Sequence, residues 1–187
     1  MQIRSLAALF VLALVPVSCT AMSTYPPTAG HTVSTPNVTP GPEVMAGAIK
    51  EAHRLTAPNS KIIFNLPVGL AENTWNRVAG LLPDNARAME PGDEGVYSVQ
   101  QLRIGGGAAE VDVVYPDHGV YQLMTVKFSG GMLMDWRVEW AYRWMIPATK
   151  PVANDPLQRV ADEQKAADSN AAAAEVESQS APADSSK

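Results

Sequence analysis

From residue 96 onward apolar and polar side chains alternate with a period of two, and glycine interrupts the alternation at intervals. VYSVQQLRI (96–104) runs into Gly105-Gly106-Gly107. AAEVDVVY (108–115) follows, with Ala109, Val111, Val113 and Tyr115 on one side and Glu110 and Asp112 on the other. Pro116-Asp117-His118-Gly119 is turn chemistry, VYQLMTVKF (120–128) is a further run, and Ser129-Gly130-Gly131 is another hairpin signal. A period of two marks strands with one buried face. The pattern predicts antiparallel strands joined by hairpins.

The final run, MDWRVEWAYRWMIP (134–147), is ambiguous at first, because Trp136, Trp140 and Trp144 recur every four residues and four also suits a helix. Parity resolves it. Even positions 136 to 146 read Trp, Val, Trp, Tyr, Trp, Ile, whereas four of the six odd positions from 135 to 145 are charged. A helix would bring Glu139 and Arg143 onto the aromatic side; a strand keeps them apart, and Trp, Val, Tyr and Ile favour strands. The expectation is a strand whose aromatic face, Trp136, Trp140, Tyr142 and Trp144, fills the core beneath the helices. Each such ring hides some 150–250 Å². The competing reading turns the row to solvent, to stack sugar rings or a partner's apolar patch. Same-face positions about 6.8 Å apart permit that. Trp136 and Trp144, near the strand ends, are its candidate ligand-stacking residues.

Before residue 96 the period is helical. PEVMAGAIKEAHRL (42–55) places Val44, Ala48, Ala52 and Leu55 on one stripe, with Ala57-Pro58-Asn59 as its stop. KIIFNLP (61–67) has strand length, and a second helix is expected at 71–82, where Trp75, Val78, Ala79 and Leu82 line one side before Pro83. Residues 83–95 have no period and read as a loop. The predicted fold class is α+β: a four- to five-stranded antiparallel meander with two N-terminal helices packed on one face, flanked by disordered tails.

The flanks differ in composition. Residues 22–42 are rich in Pro, Thr, Ser and Gly without a hydrophobic period, which predicts a disordered tether. Residues 148–187 are dominated by Ala, Ser and acidic side chains and are expected to be mostly disordered. One exception is Asp155-Pro156-Leu157-Gln158, whose cap and first-turn proline suit a short helix over 156–167. The foldable domain is thus 43–147.

Residues 1–21 carry Arg4, an apolar run from Ser5 to Val15 and then Pro16 and small residues. That run is far short of the roughly 20 residues a membrane span needs, so the segment reads as a secretory signal peptide and the mature chain as lacking a transmembrane helix. Export places the domain in the periplasm, the cell envelope or the extracellular space. Cys19-Thr20-Ala21 suits cleavage after Ala21. Val17-Ser18-Cys19 resembles the end of the lipobox of bacterial lipoproteins, although Pro16 stands where those proteins carry a branched aliphatic. The resemblance implies lipidation of Cys19 and membrane attachment through it. Cys19 is the sole cysteine, so the domain has no internal disulfide and depends on its core. The net charge of −5 and the lack of a basic stripe argue against nucleic acid.

Candidate chemistry is sparse. His31, His53 and His118 show no metal-ligand spacing, and no motif for a cofactor, metal or catalytic nucleophile occurs. Gly105-Gly106-Gly107 precedes a strand, not the helix N-terminus that would hold a phosphate. Glu110, Asp112, Asp135 and Glu139, beside Arg137 and Arg143, read as a solvated outer face with cross-strand ion pairs. The functional expectation is an exported small binding or structural module for a protein, glycan or apolar ligand. The alternative is a small enzyme with a site in the concave face of the sheet.

Overall fold

The computed structural model describes residues 22–131 and 134–156. The signal segment 1–21 with Cys19, and the expected helix 156–167 beyond its first residue, lie outside the described residues. Among the described residues the fold is mixed α/β, with two helices and one large, mostly antiparallel sheet. The elements are β1 (Ser23–Tyr25), β2 (Thr32–Val33), α1 (Gly41–Thr56), β3 (Ile63–Asn65), α2 (Glu72–Leu81), β4 (Arg87–Ala88), β5 (Val96–Gly105), β6 (Ala108–Asp117), β7 (Val120–Gly131) and β8 (Met134–Ala148).

The sheet therefore has eight strands where four or five were expected. Its main path runs β2-β1-β5-β6-β7-β8, and the long strands β5 to β8 form the expected meander. The additional strands are two or three residues long, too short to show a period. They are β1, β2 and β4: β1 pairs antiparallel with the last residues of β5, on the edge whose first residues take the expected β3 in parallel, while β2 pairs with β1 and β4 with β3. The stretch expected as a tether thus supplies β1. Thr24 is buried, Ser23 Oγ donates to the Ile104 carbonyl at 3.0 Å, and the Tyr25 hydroxyl donates to the Val68 carbonyl at 2.8 Å. Polar side chains and backbone pairing hold this segment, so its lack of apolar residues gave no sign of order.

The residues after β8 are anchored in a similar way. Buried Asn65 donates to Val152 O at 2.8 Å and accepts from Asn154 N–H at 3.2 Å, and the Asn154 amide donates to Leu66 O at 3.1 Å. The described chain is tied to β3 as far as Asn154.

The core lies between α1 and the inner faces of β5, β6 and β7. Val44, Met45, Ala48, Ile49 and Ala52 of α1 meet Leu102, Val111, Val113, Tyr115, Met124 and Val126, all buried. Small side chains let α1 lie close to the sheet. At Gly47 a β-carbon would stand 2.8 Å from the Phe128 ring, so only glycine fits that crossing unshifted. α2 packs through Trp75, whose ring centroid lies 5.9 Å from that of Phe64. Gly106 and Gly107, at φ +57° and +83°, close the β5–β6 hairpin in a backbone region that favours glycine.

Candidate functional site

β8 is a strand, as its alternation predicts, but its aromatic row is not core. Trp140, Tyr142 and Trp144 are 42%, 52% and 46% exposed. The reason lies in the register. Lys127 pairs with Trp140 while the next residue of β7, Phe128, pairs with Val138, so Glu139 is an extra residue in a β-bulge. Directly paired residues share a face. Before the bulge the even positions face inward, with Val138 opposite buried Phe128 and Trp136 partly buried against the core. After it the odd positions do: Ala141 opposes Val126 and Arg143 opposes Met124. Trp140, Tyr142 and Trp144 are thereby carried to the outer face. A further irregularity follows, because Met124 pairs with Arg143 but Gln122 with Pro147. Met145 between them adopts φ +55°, leaving Met145 and Ile146 exposed.

The two candidate stacking residues consequently stand on opposite faces. Trp144 belongs to the outer row with Trp140 and Tyr142, and Trp136 lines a groove on the helical side.

The outer row is oriented by hydrogen bonds across four strands. Trp144 Nε1–H donates to Thr125 Oγ1 at 2.8 Å, and Thr125 donates to Asp112 Oδ1 at 2.6 Å. Asp112 also receives two bonds of 2.8 Å from the Arg103 guanidinium, which reaches Glu110 at 3.1 Å. The Asp112 carboxylate raises the Arg103 pKa above its ordinary value, keeping the guanidinium charged. Tyr142 and Trp144 meet edge to face, their centroids 4.7 Å apart, and Lys127 Nζ lies 5.8 Å from the Trp140 ring centre while pairing with Glu139 at 3.3 Å. The outer face expected for Glu110, Asp112 and Glu139 is present, with Arg103 and Lys127 as their partners. Arg143 instead turns inward, donating to the Tyr115 hydroxyl and to Asp117, each at 3.0 Å.

The groove lies between α1 and the β7–β8 hairpin and has a volume of about 1130 Å³. Phe128, Ile104, Trp136 and Val138 supply apolar surface, and Glu43, Lys50, Glu51 and Arg54 of α1 supply charge with Asp135 of β8. Gly130 lets the Trp136 indole lie against the hairpin backbone, since a β-carbon there would meet that ring at 2.7 Å. Glu51 accepts two bonds from Arg54, at 2.8 and 2.7 Å, which lowers its pKa. Glu43 Oε1 takes Arg77 and Thr39, whereas Oε2 is buried with no hydrogen-bond partner among the described residues. No sequence signal pointed to this groove, because its walls come from segments 50 or more residues apart, from Arg54 to Ile104 at the nearest.

The histidines do not assemble into a site. His31 and His118 are exposed, and His118 occupies the β6–β7 turn at φ +48°. His53 contacts Ser60 and the edge of Tyr97. Among the described residues no group of three or more His, Cys, Asp or Glu is placed to hold a metal, and no helix is long and apolar enough to cross a membrane. No protein family, curated protein or solved structure matches the chain.

Proposed function

We propose that this chain is an exported, non-catalytic binding module that recognises glycan through the outer face of β8. One observation carries the reading: Trp140, Tyr142 and Trp144 are displayed side by side, each about half exposed, on a face already held by polar bonds. Exposed aromatic clusters of this kind mark interaction surfaces on soluble proteins. A sugar ring offers an apolar C–H face for indole and phenol rings, and hydroxyls for charged neighbours such as Lys127 and Glu139. The bond from Trp144 to Thr125 lowers the ordering cost of binding, because that ring is oriented before a ligand arrives.

The test is co-sedimentation of the full chain with insoluble peptidoglycan, chitin and cellulose. Retention on at least one, lost by at least tenfold in Trp140→Ala and Trp144→Ala variants that keep their melting temperature, is the expected result. Recovery of the wild-type protein in every supernatant would remove the glycan reading.

Attachment to a membrane through Cys19 remains part of the proposal. Only four residue steps separate Cys19 from Ser23 of β1, a reach of at most about 14 Å. An acylated Cys19 would therefore hold the β2–β1 end of the sheet at the bilayer, with β8 at the opposite edge. Metabolic labelling with a fatty-acid probe tests this, and an unlabelled wild-type chain excludes it.

A small enzyme is the second reading, favoured by the ionisable side chains that line the groove. The engagement of Glu51 with Arg54 and of Glu43 with Arg77 in ion pairs supports binding over proton transfer there.

A further inference from the structure

We propose that the free edge of β8 pairs antiparallel with the same edge of a second copy of this chain, about a two-fold axis at Tyr142, so that two sheets join into one. β8 ends the sheet, with no strand beyond it among the described residues, and at 15 residues it is the longest strand there. Half of the exposed large apolar side chains among the described residues belong to it. An edge of that length offers a row of unpaired backbone groups to another strand. The proposal does not rest on the glycan reading, since pairing uses the backbone edge and stacking uses the faces of the rings.

The second copy follows from the register. Bulges, prolines and charges ordinarily close an edge to pairing. In β8 the bulge at Glu139 lies on one side, and Met145 at φ +55° with Pro147 on the other, so they bound a regular stretch, residues 140–144. Tyr142 is its middle residue, and a two-fold axis there lays one regular stretch against the other. Directly paired residues share a face. Trp140 then meets Trp144 of the second copy and Tyr142 meets Tyr142, all on the outer face, while Ala141 meets Arg143 on the inner face. Cross-strand aromatic pairs stabilise such a ladder, and the one charge in the stretch, Arg143, opposes an alanine.

The neighbouring registers fail. Centring on Arg143 opposes two guanidinium groups, and centring on Trp140 opposes Arg137 to Arg143. Centring on Ala141 brings the bulge into the paired stretch and sets Val138 against Trp144, which belongs to the other face. The edge therefore matches itself in a single register, as a two-fold interface requires.

The experiment is sedimentation equilibrium of the full chain, with disulfide trapping in a Cys19→Ser background. A reversible dimer is expected. In it the two Tyr142 Cα atoms stand about 4.5–5.5 Å apart, within the span of a disulfide, so Tyr142→Cys should cross-link to itself on air oxidation. Arg137→Cys, also exposed on β8, would lie about 30 Å from its counterpart and should not. Tyr142→Lys sets two ammonium groups face to face, and should raise the dimer dissociation constant at least tenfold with an unchanged circular dichroism spectrum. A wild-type chain that stays monomeric, cross-linking of Tyr142→Cys no faster than of Arg137→Cys, or a Tyr142→Lys chain that dimerises as tightly as wild type would each overturn the proposal.

Discussion

β6 and β8 alternate equally well in sequence, yet they end in opposite situations. β6 lies between β5 and β7 in a register with β7 that never slips, and its Ala109, Val111, Val113 and Tyr115 are all fully buried. β8 pairs on one side only, slips against β7 three times, and buries no residue completely. Periodicity thus identifies a strand, but parity carries a side chain's facing only as far as the next bulge. β6 is held by burial. β8 is held by its backbone ladder to β7 and by side-chain bonds such as Trp144 to Thr125 and Arg143 to Tyr115 and Asp117.

The sharpest way to break this comparison is to make one substitution in both strands. Val111 is fully buried and Val138 is 39% exposed. Val111→Ala should cost about 2 kcal/mol, from two lost methyl groups and the cavity they leave. Val138→Ala should cost less than about 1 kcal/mol, because the edge can relax around it. Urea denaturation of the two variants measures the difference, and equal costs would mean that β8 is packed as β6 is.

A smaller effect sharpens the account of β8. Thr125→Val keeps the shape but removes the hydroxyl that links Trp144 to Asp112. The expected cost is about 1.5 kcal/mol, the low end for a hydrogen bond to a charged group. In a background where Trp75, Trp136 and Trp140 are Phe, acrylamide should quench Trp144 more strongly after Thr125→Val. Unchanged quenching would show that packing alone orients the indole.

The parts legible in the sequence were those with a run long enough to carry a period. Both helices, β3, the four long strands and the hairpin at Gly105-Gly106-Gly107 follow directly from spacing and turn chemistry, whereas Ser129, Gly130 and Gly131, expected as a turn, are the last residues of β7. β1, β2 and β4 did not, since two or three residues held by backbone pairing need no apolar pattern. The inward facing of Trp140, Tyr142 and Trp144 was mistaken because one extra residue at Glu139 inverts parity, and nothing in the composition of EWAYRW marks the slip. Glu43, Lys50 and Trp136 could not be grouped before the fold was known, as α1 meets the hairpin only through tertiary packing.

The loop between Leu82 and β5 buries one large apolar side chain, Met89, and is otherwise ordered by polar bonds, and it gives the smallest effect. Residues 83–95 show no hydrophobic period, but β4 lies within them and Arg87 binds Asp93 through two bonds of 2.6 Å. Asp93 also accepts from Glu90 N–H at 2.7 Å. The Arg87 guanidinium, then that backbone donor, hold the Asp93 pKa down to about 2, from an ordinary 3.8. A carboxyl whose pKa falls on folding stabilises the folded state when ionised in both states. Its contribution is therefore fully present above the unfolded value of 3.8, shrinks as the pH falls below it, and is gone once the pH has passed through about 2. Asp93→Asn should lower the melting temperature by a few degrees at pH 7, and the gap from wild type should close between roughly pH 4 and pH 2. Melting curves across that range test the sign. A gap that is constant with pH would assign the loop's order to the backbone turn, not to the charge on Asp93.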